Sequence, residues 1–106
     1  MIFGIYCRKS VLNEKSESIE VQIQLCREYI YSRIDTQAEI RIYADEGFSG
    51  KNTYRPMLMR LIENIKEHKV DYVVCYRLDR ISRSVSDFSA IIELMNRSGV
   101  SFVCIK

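Results

Sequence analysis

Short apolar runs alternate along this chain with longer stretches in which apolar residues recur every three or four positions. Ile2 to Cys7 is an almost unbroken hydrophobic segment, the pattern of a buried parallel strand, and it ends abruptly in Arg8, Lys9 and Ser10. The polar stretch from Val11 to Glu17 reads as a loop. Ser16 or Ser18 can then cap a helix whose positive end suits Glu17 and Glu20. Ile19, Ile23, Cys26 and Ile30 follow at helical spacing and predict a helix over about 18–32. Ala38 to Tyr43 predicts a second strand with Ile40 and Ile42 facing inward.

The stretch from Asp45 to Thr53 is dense in turn formers and holds Gly47 and Gly50, so it predicts a mobile loop without regular structure. Pro56 suits a first helical turn, and Leu58, Leu61, Ile62 and Ile65 give one stripe up to about Lys66. Asp71 to Tyr76 is the clearest strand. Phe88, Ile91, Ile92 and Met95 mark a third helix, with Ser84 and Asp87 spaced like a capping box and Gly99 as its stop. Val100 to Ile105 gives a fourth strand. The order β-α-β-α-β-α-β predicts an α/β fold of three layers: a mainly parallel sheet of four strands or more, helices on both faces and right-handed crossovers.

Composition narrows this only a little. At 106 residues the chain suits a single domain, and 47% hydrophobic with 28% charged residues is ordinary for a globular protein. No apolar run approaches a membrane span and the N-terminus lacks a signal-peptide pattern, so no membrane partner is expected. A net charge of +2 permits nucleic-acid binding without arguing for it. Cys7, Cys26, Cys75 and Cys104 are too scattered for a zinc site or a disulfide framework, which makes a reducing cytoplasm the expected compartment.

Charge placement says more than charge total. In a parallel sheet every strand hands its following loop to the same edge, where ligands bind in open α/β folds. The first strand delivers Arg8 and Ser10, the second the glycine-containing loop and Arg55, the third Arg77, Asp79, Arg80 and Arg83. Guanidinium forks bind phosphate oxygens in pairs and stay charged, and aimed at developing negative charge they stabilise phosphoryl transfer. A serine among them is a candidate nucleophile. No metal-ligand cluster is visible, so chemistry without metal or cofactor is expected.

Blander readings stand beside each residue. A serine after a strand commonly hydrogen-bonds locally, Asp79 can simply pair with Arg83 one turn on, and Gln22 near a helix start would ordinarily lie on the surface. Arg80 and Arg83 could open a solvated helix, although cations there oppose the helix dipole. His68 reads as a charge complement at a helix C-terminus, and Tyr29, Tyr31 and Tyr72 as packing or rim residues.

Four of these stretches, taken in order, resemble the catalytic domain of the serine recombinases, the resolvase and invertase family. Tyr6-Cys7-Arg8-Lys9-Ser10 resembles its Y-x-R-x-S nucleophile motif, and Ser18-Ile19-Glu20-Val21-Gln22 its helix-start segment. Asp45 to Pro56 is similar to the mobile loop preceding a catalytic arginine, here Arg55, and Leu78-Asp79-Arg80-Ile81-Ser82-Arg83 to the L-D-R-x-x-R signature. The wording is closest to the large serine recombinases of transposons and phage integrases.

The resemblance implies that Ser10 attacks a phosphodiester of double-stranded DNA, forming a 5′-phosphoserine link and releasing a 3′ hydroxyl. Arg8, Arg80 and Arg83 would hold the phosphate and Arg55 would reach it from its loop. Asp79 would orient the arginines or assist proton transfer, and Gln22 would position the phosphate or the surroundings of Ser10. It also implies that residues 1–106 form an N-terminal catalytic domain preceding a long dimerisation helix and DNA-binding domains, in a protein working as a homodimer or homotetramer. The family's further polar residue in the loop after the nucleophile has no clear counterpart between Val11 and Glu17.

Two rivals remain open. One is a non-catalytic α/β module binding phosphate or nucleotides through its arginine edge. The other is a thiol redox protein in which Cys7-Arg8-Lys9-Ser10 is a CxxS motif, its thiol acidified by the neighbouring cations. On the recombinase reading, Arg8→Ala or Arg80→Ala would abolish covalent DNA attachment with little loss of fold, since exposed charges at the active edge contribute little to the core.

Overall fold

The computed structural model describes residues 1–9, 18–46, 56–76 and 85–105, with backbone only for residues 9, 46 and 85–88. The elements are β1 (Ile2–Lys9), α1 (Ile19–Arg33), β2 (Glu39–Glu46), α2 (Pro56–Lys66), β3 (Tyr72–Cys75), α3 (Val85–Ser98) and β4 (Ser101–Cys104). They alternate as the hydrophobic pattern predicts. The described strands form one parallel sheet in the order β2-β1-β3-β4.

Each face of the sheet carries its own core, because successive strand residues point to opposite sides. Phe3, Ile5 and Cys7 meet Val74, Tyr76 and the α1 residues Cys26 and Ile30 on one face. Tyr6, Tyr43, Val73 and Cys75 meet Leu61 and Ile65 of α2 and Met95 of α3 on the other. That double burial explains why β1 and β3 read as continuous apolar runs. Gly4 is needed for close approach: a Cβ there would lie 3.1 Å from Leu61 Cδ1 and 3.2 Å from Tyr43 Cε2.

Local chemistry ends the helices as expected. Ser18 caps α1 with its hydroxyl accepting the Val21 N–H at 3.2 Å. Gly99 closes α3 with a φ of +72°, and the Val100 N–H returns to the Met95 carbonyl. His68 takes the same place after α2, with a φ of 59° and the Lys69 N–H returning to Asn64. It is thus a left-handed helix stop, and not only a charge complement.

Strand β2 differs from the sequence reading in two respects. β2 runs on to Glu46, so Asp45 and Glu46 are strand residues where a turn segment is predicted. The inward residues of β2 also include Tyr43 and Asp45, 3% and 1% exposed, while Ile40 and Ile42 are only partly buried. Short-range composition marks Asp45 as a turn former; pairing with β1 through the Arg8–Asp45 and Lys9–Glu46 positions outweighs it.

Candidate functional site at the switch point of the sheet

Strand order fixes where a ligand can sit. From β1 the chain crosses over α1 to β2 on one side, then returns past β1 over α2 to β3 on the other. The order reverses between β1 and β3, and the crevice outside the carboxyl ends of such a pair is where open α/β sheets bind ligands. The β1 end carries Arg8, and β3, parallel to it, ends at the same edge with Cys75 and Tyr76.

Arg8 belongs to β1 itself and is only 5% exposed, so the prediction of an exposed, structurally idle charge is corrected. The extension of β2 to Glu46 gives β1 a partner as far as Lys9 and places Asp45 in register with Arg8. Gln22, far from lying on the surface, is fully buried on the same α1 face as Cys26 and Ile30. Its Nε2 donates to the Arg8 carbonyl at 3.2 Å. Helix α1 is thereby tied to the backbone two residues before Ser10. Arg8 and Gln22 are brought together; Ser10, Arg55, Asp79, Arg80 and Arg83 lie outside the described residues.

The sequence reading missed Asp45 and Tyr6 as parts of this edge. Pro56 has no N–H, so the first amide donors of α2 come from Met57 and Leu58. Asp45 accepts both: Met57 N to Oδ1 at 3.0 Å and Leu58 N to Oδ2 at 3.1 Å. The same Oδ2 accepts the Tyr6 hydroxyl at 2.9 Å. A buried carboxylate is tolerable here because three donors and the positive end of a helix surround it. One side chain therefore fixes the end of β2, the start of α2 and the middle of β1, spanning both ends of the segment that contains Arg55. The signal for it was present in Pro56: a helix opening on proline needs a carboxylate or hydroxyl for its next two amides.

Cys7 is buried in the α1-side core, which disfavours the redox reading of Cys7-Arg8-Lys9-Ser10. Burial, with a smaller contribution from Cys104, pushes the Cys26 thiol up from 9.0 to about 12. Among the described residues no group of histidine, cysteine, aspartate or glutamate is arranged to hold a metal ion. Nor is any described helix long and apolar enough to cross a membrane.

Comparison with known proteins agrees with this fold. The family described as Resolvase, N terminal domain, matches residues 3–106. A relative from Bacillus subtilis (strain 168), provisionally named a DNA recombinase, is 32% identical over 104 residues, covering 96% of this chain and 20% of its own length. The N-terminal catalytic domain of TP901-1 integrase superposes with a TM-score of 0.82 at 31% identity, over 99% of this chain and 77% of that one. The C-terminal catalytic domain of ISC1926 TnpA, an IS607-like serine recombinase, gives 0.81 at 28% identity, over 100% of this chain and 70% of that one. The fold and edge define an α/β domain of resolvase type. The chain belongs to the resolvase N-terminal domain family, and it spans about a fifth of the length of the Bacillus subtilis relative.

Proposed function

We propose that this chain is the catalytic domain of a serine site-specific DNA recombinase of the large, integrase-like kind. The observation that best supports the reading is the buried Gln22–Arg8 contact at the switch point, which braces the strand end leading into Ser10. In this reading the Ser10 hydroxyl attacks a phosphorus of double-stranded DNA. The new serine–phosphorus bond forms as the bond to the 3′ oxygen breaks, leaving a 5′-phosphoserine link and a free 3′ hydroxyl. Because one phosphate ester replaces another, the strand can be rejoined without an external energy source.

Arg8, Arg80 and Arg83 would neutralise the charge that builds on the phosphate oxygens, with Arg55 joining from the segment after β2. Asp79 would orient these forks or pass a proton to the leaving oxygen. Gln22 acts as a positioning residue through the Arg8 carbonyl, and Asp45 does the same for the start of α2 next to Arg55. The reading further makes the working protein a homodimer or homotetramer on DNA, in a cytoplasm that keeps the cysteines reduced.

The test is a covalent trap. The full-length protein is incubated with nicked suicide duplexes taken from the borders of the genetic element that encodes it. A protein–DNA adduct that disappears with Ser10→Ala is the expected result. An adduct that persists would reassign the nucleophile, and DNA binding without any adduct would favour the non-catalytic phosphate-binding module.

A further inference from the structure

Beside that site, two of the cysteines scattered in sequence draw together in the fold. Cys75 on β3 and Cys104 on β4 are in-register partners on adjacent parallel strands. Register partners project to the same face, and both belong to the core on the α2 and α3 side. Adjacent strands run about 4.8 Å apart, inside the Cα separation of about 4.4–6.8 Å that a disulfide spans. Cys75 is fully buried while Cys104 is partly exposed, so one member is open to small solutes and the other waits behind it.

The geometry points to Cys75 and Cys104 as a reversible dithiol–disulfide pair, oxidised by a peroxide. The accessible Cys104 thiol is the one the peroxide meets first. Its sulfur takes one oxygen as the O–O bond breaks, giving a sulfenic acid and one water. The Cys75 sulfur then displaces that oxygen, the S–S bond forms, and the departing oxygen collects the remaining thiol proton as a second water. Two electrons pass from the thiols to the peroxide, and a dithiol reductant returns them.

Two features make the bridge a switch and not a staple. In-register parallel strands hold Cβ atoms about as far apart as the strands, about 4.8 Å and slightly beyond the roughly 3.5–4.5 Å a disulfide prefers, so closing the bridge strains it, and strained bridges are the readily reduced ones. Burial also raises the Cys75 thiol well above its ordinary range, which leaves the first oxidation to Cys104. The location gives the pair something to act on. The Cys104 thiol donates to the Tyr76 carbonyl at 3.8 Å, directly before residues 77–84, and bridging to Cys75 redirects that sulfur.

The test needs no assumption about activity. The full chain is treated with hydrogen peroxide, alkylated under denaturing conditions, digested with trypsin and read by mass spectrometry. A cross-linked pair of the peptides 70–77 and 98–106, present only after oxidation and lost on treatment with dithiothreitol, is the expected result. Thiol titration should fall by two and recover. Cys104→Ser, at the partly exposed position, should abolish the cross-link while leaving the far-ultraviolet spectrum unchanged. Peroxide treatment that leaves every thiol titratable, that over-oxidises Cys104 without a bridge, or that joins a different pair would overturn the proposal.

Discussion

The Tyr6 hydroxyl donates to the buried carboxylate of Asp45 across 39 positions of sequence, at 2.9 Å. That carboxylate also carries the first two free amides of α2, so it has no expendable oxygen. Asp45→Ala should cost about 3 kcal/mol, because it removes the acceptor of the Tyr6 hydroxyl bond and of two part-buried amides at once. Tyr6→Phe removes one donor only and should cost about 1 kcal/mol. A double-mutant cycle by urea unfolding checks the pair. Additive losses would show that the two groups are not coupled.

Gln22 offers a sharper separation of structure from chemistry. Gln22→Leu keeps the volume and loses the bond to the Arg8 carbonyl. Stability should fall by about 1–2 kcal/mol, while DNA adduct formation in the suicide assay should fall at least tenfold. Loss of adduct in proportion to loss of folded protein would reduce Gln22 to a packing residue.

Arg8→Ala should now be read as a core substitution as well as a site substitution. With the side chain 5% exposed, a loss of about 1–3 kcal/mol is expected in chemical unfolding. Adduct formation should vanish in the fraction that remains folded. A variant as stable as the parent would restore the idea of an idle edge charge.

The two left-handed helix stops make a matched comparison. His68→Gly should raise stability by up to about 1 kcal/mol, since glycine adopts φ 59° without the cost a side chain carries. Gly99→Ala should lower it by a similar amount, because nothing lies within 4 Å of the added Cβ and only the backbone angle opposes it. Thermal melts of the two variants should move in opposite directions.

The buried thiols set an alkaline limit. Cys26 is held up at about 12 and Cys75 is raised as well, both chiefly by burial, against an ordinary value of 9.0. Their stabilisation is complete below that ordinary value and is lost as pH rises through it, because the unfolded chain ionises first. Stability should fall above about pH 9 with a slope approaching 1.4 kcal/mol per pH unit for each thiol. Cys26→Ala should flatten the slope, and a profile unchanged by it would refute the assignment.

Much of the architecture was readable because β1, β3 and the α2 stripe carry patterns that only burial explains. Ile2 to Cys7 needs both faces of its strand covered, and the structure covers them with α1 on one side and α2 on the other. Asp45 was misread because turn propensity is local, whereas its value comes from Tyr6 and from α2. Gln22 was ambiguous for the same reason: an amide on a helix gains a reason to be buried only when a distant carbonyl, here that of Arg8, lies within reach. The pairing of Cys75 with Cys104 could not be read at all, since strand register is invisible in either segment alone.

Met1 lies at the opposite rim from Arg8, 67% exposed, with its carbonyl receiving the Glu39 amide. Seven residue steps along β1 hold these rims roughly 23 Å apart on a largely buried strand. A dye, an affinity handle or a fused carrier attached to the amino end therefore hangs from the floor of the molecule. It leaves the opposite rim, where β1 ends in Arg8 and Lys9, unencumbered.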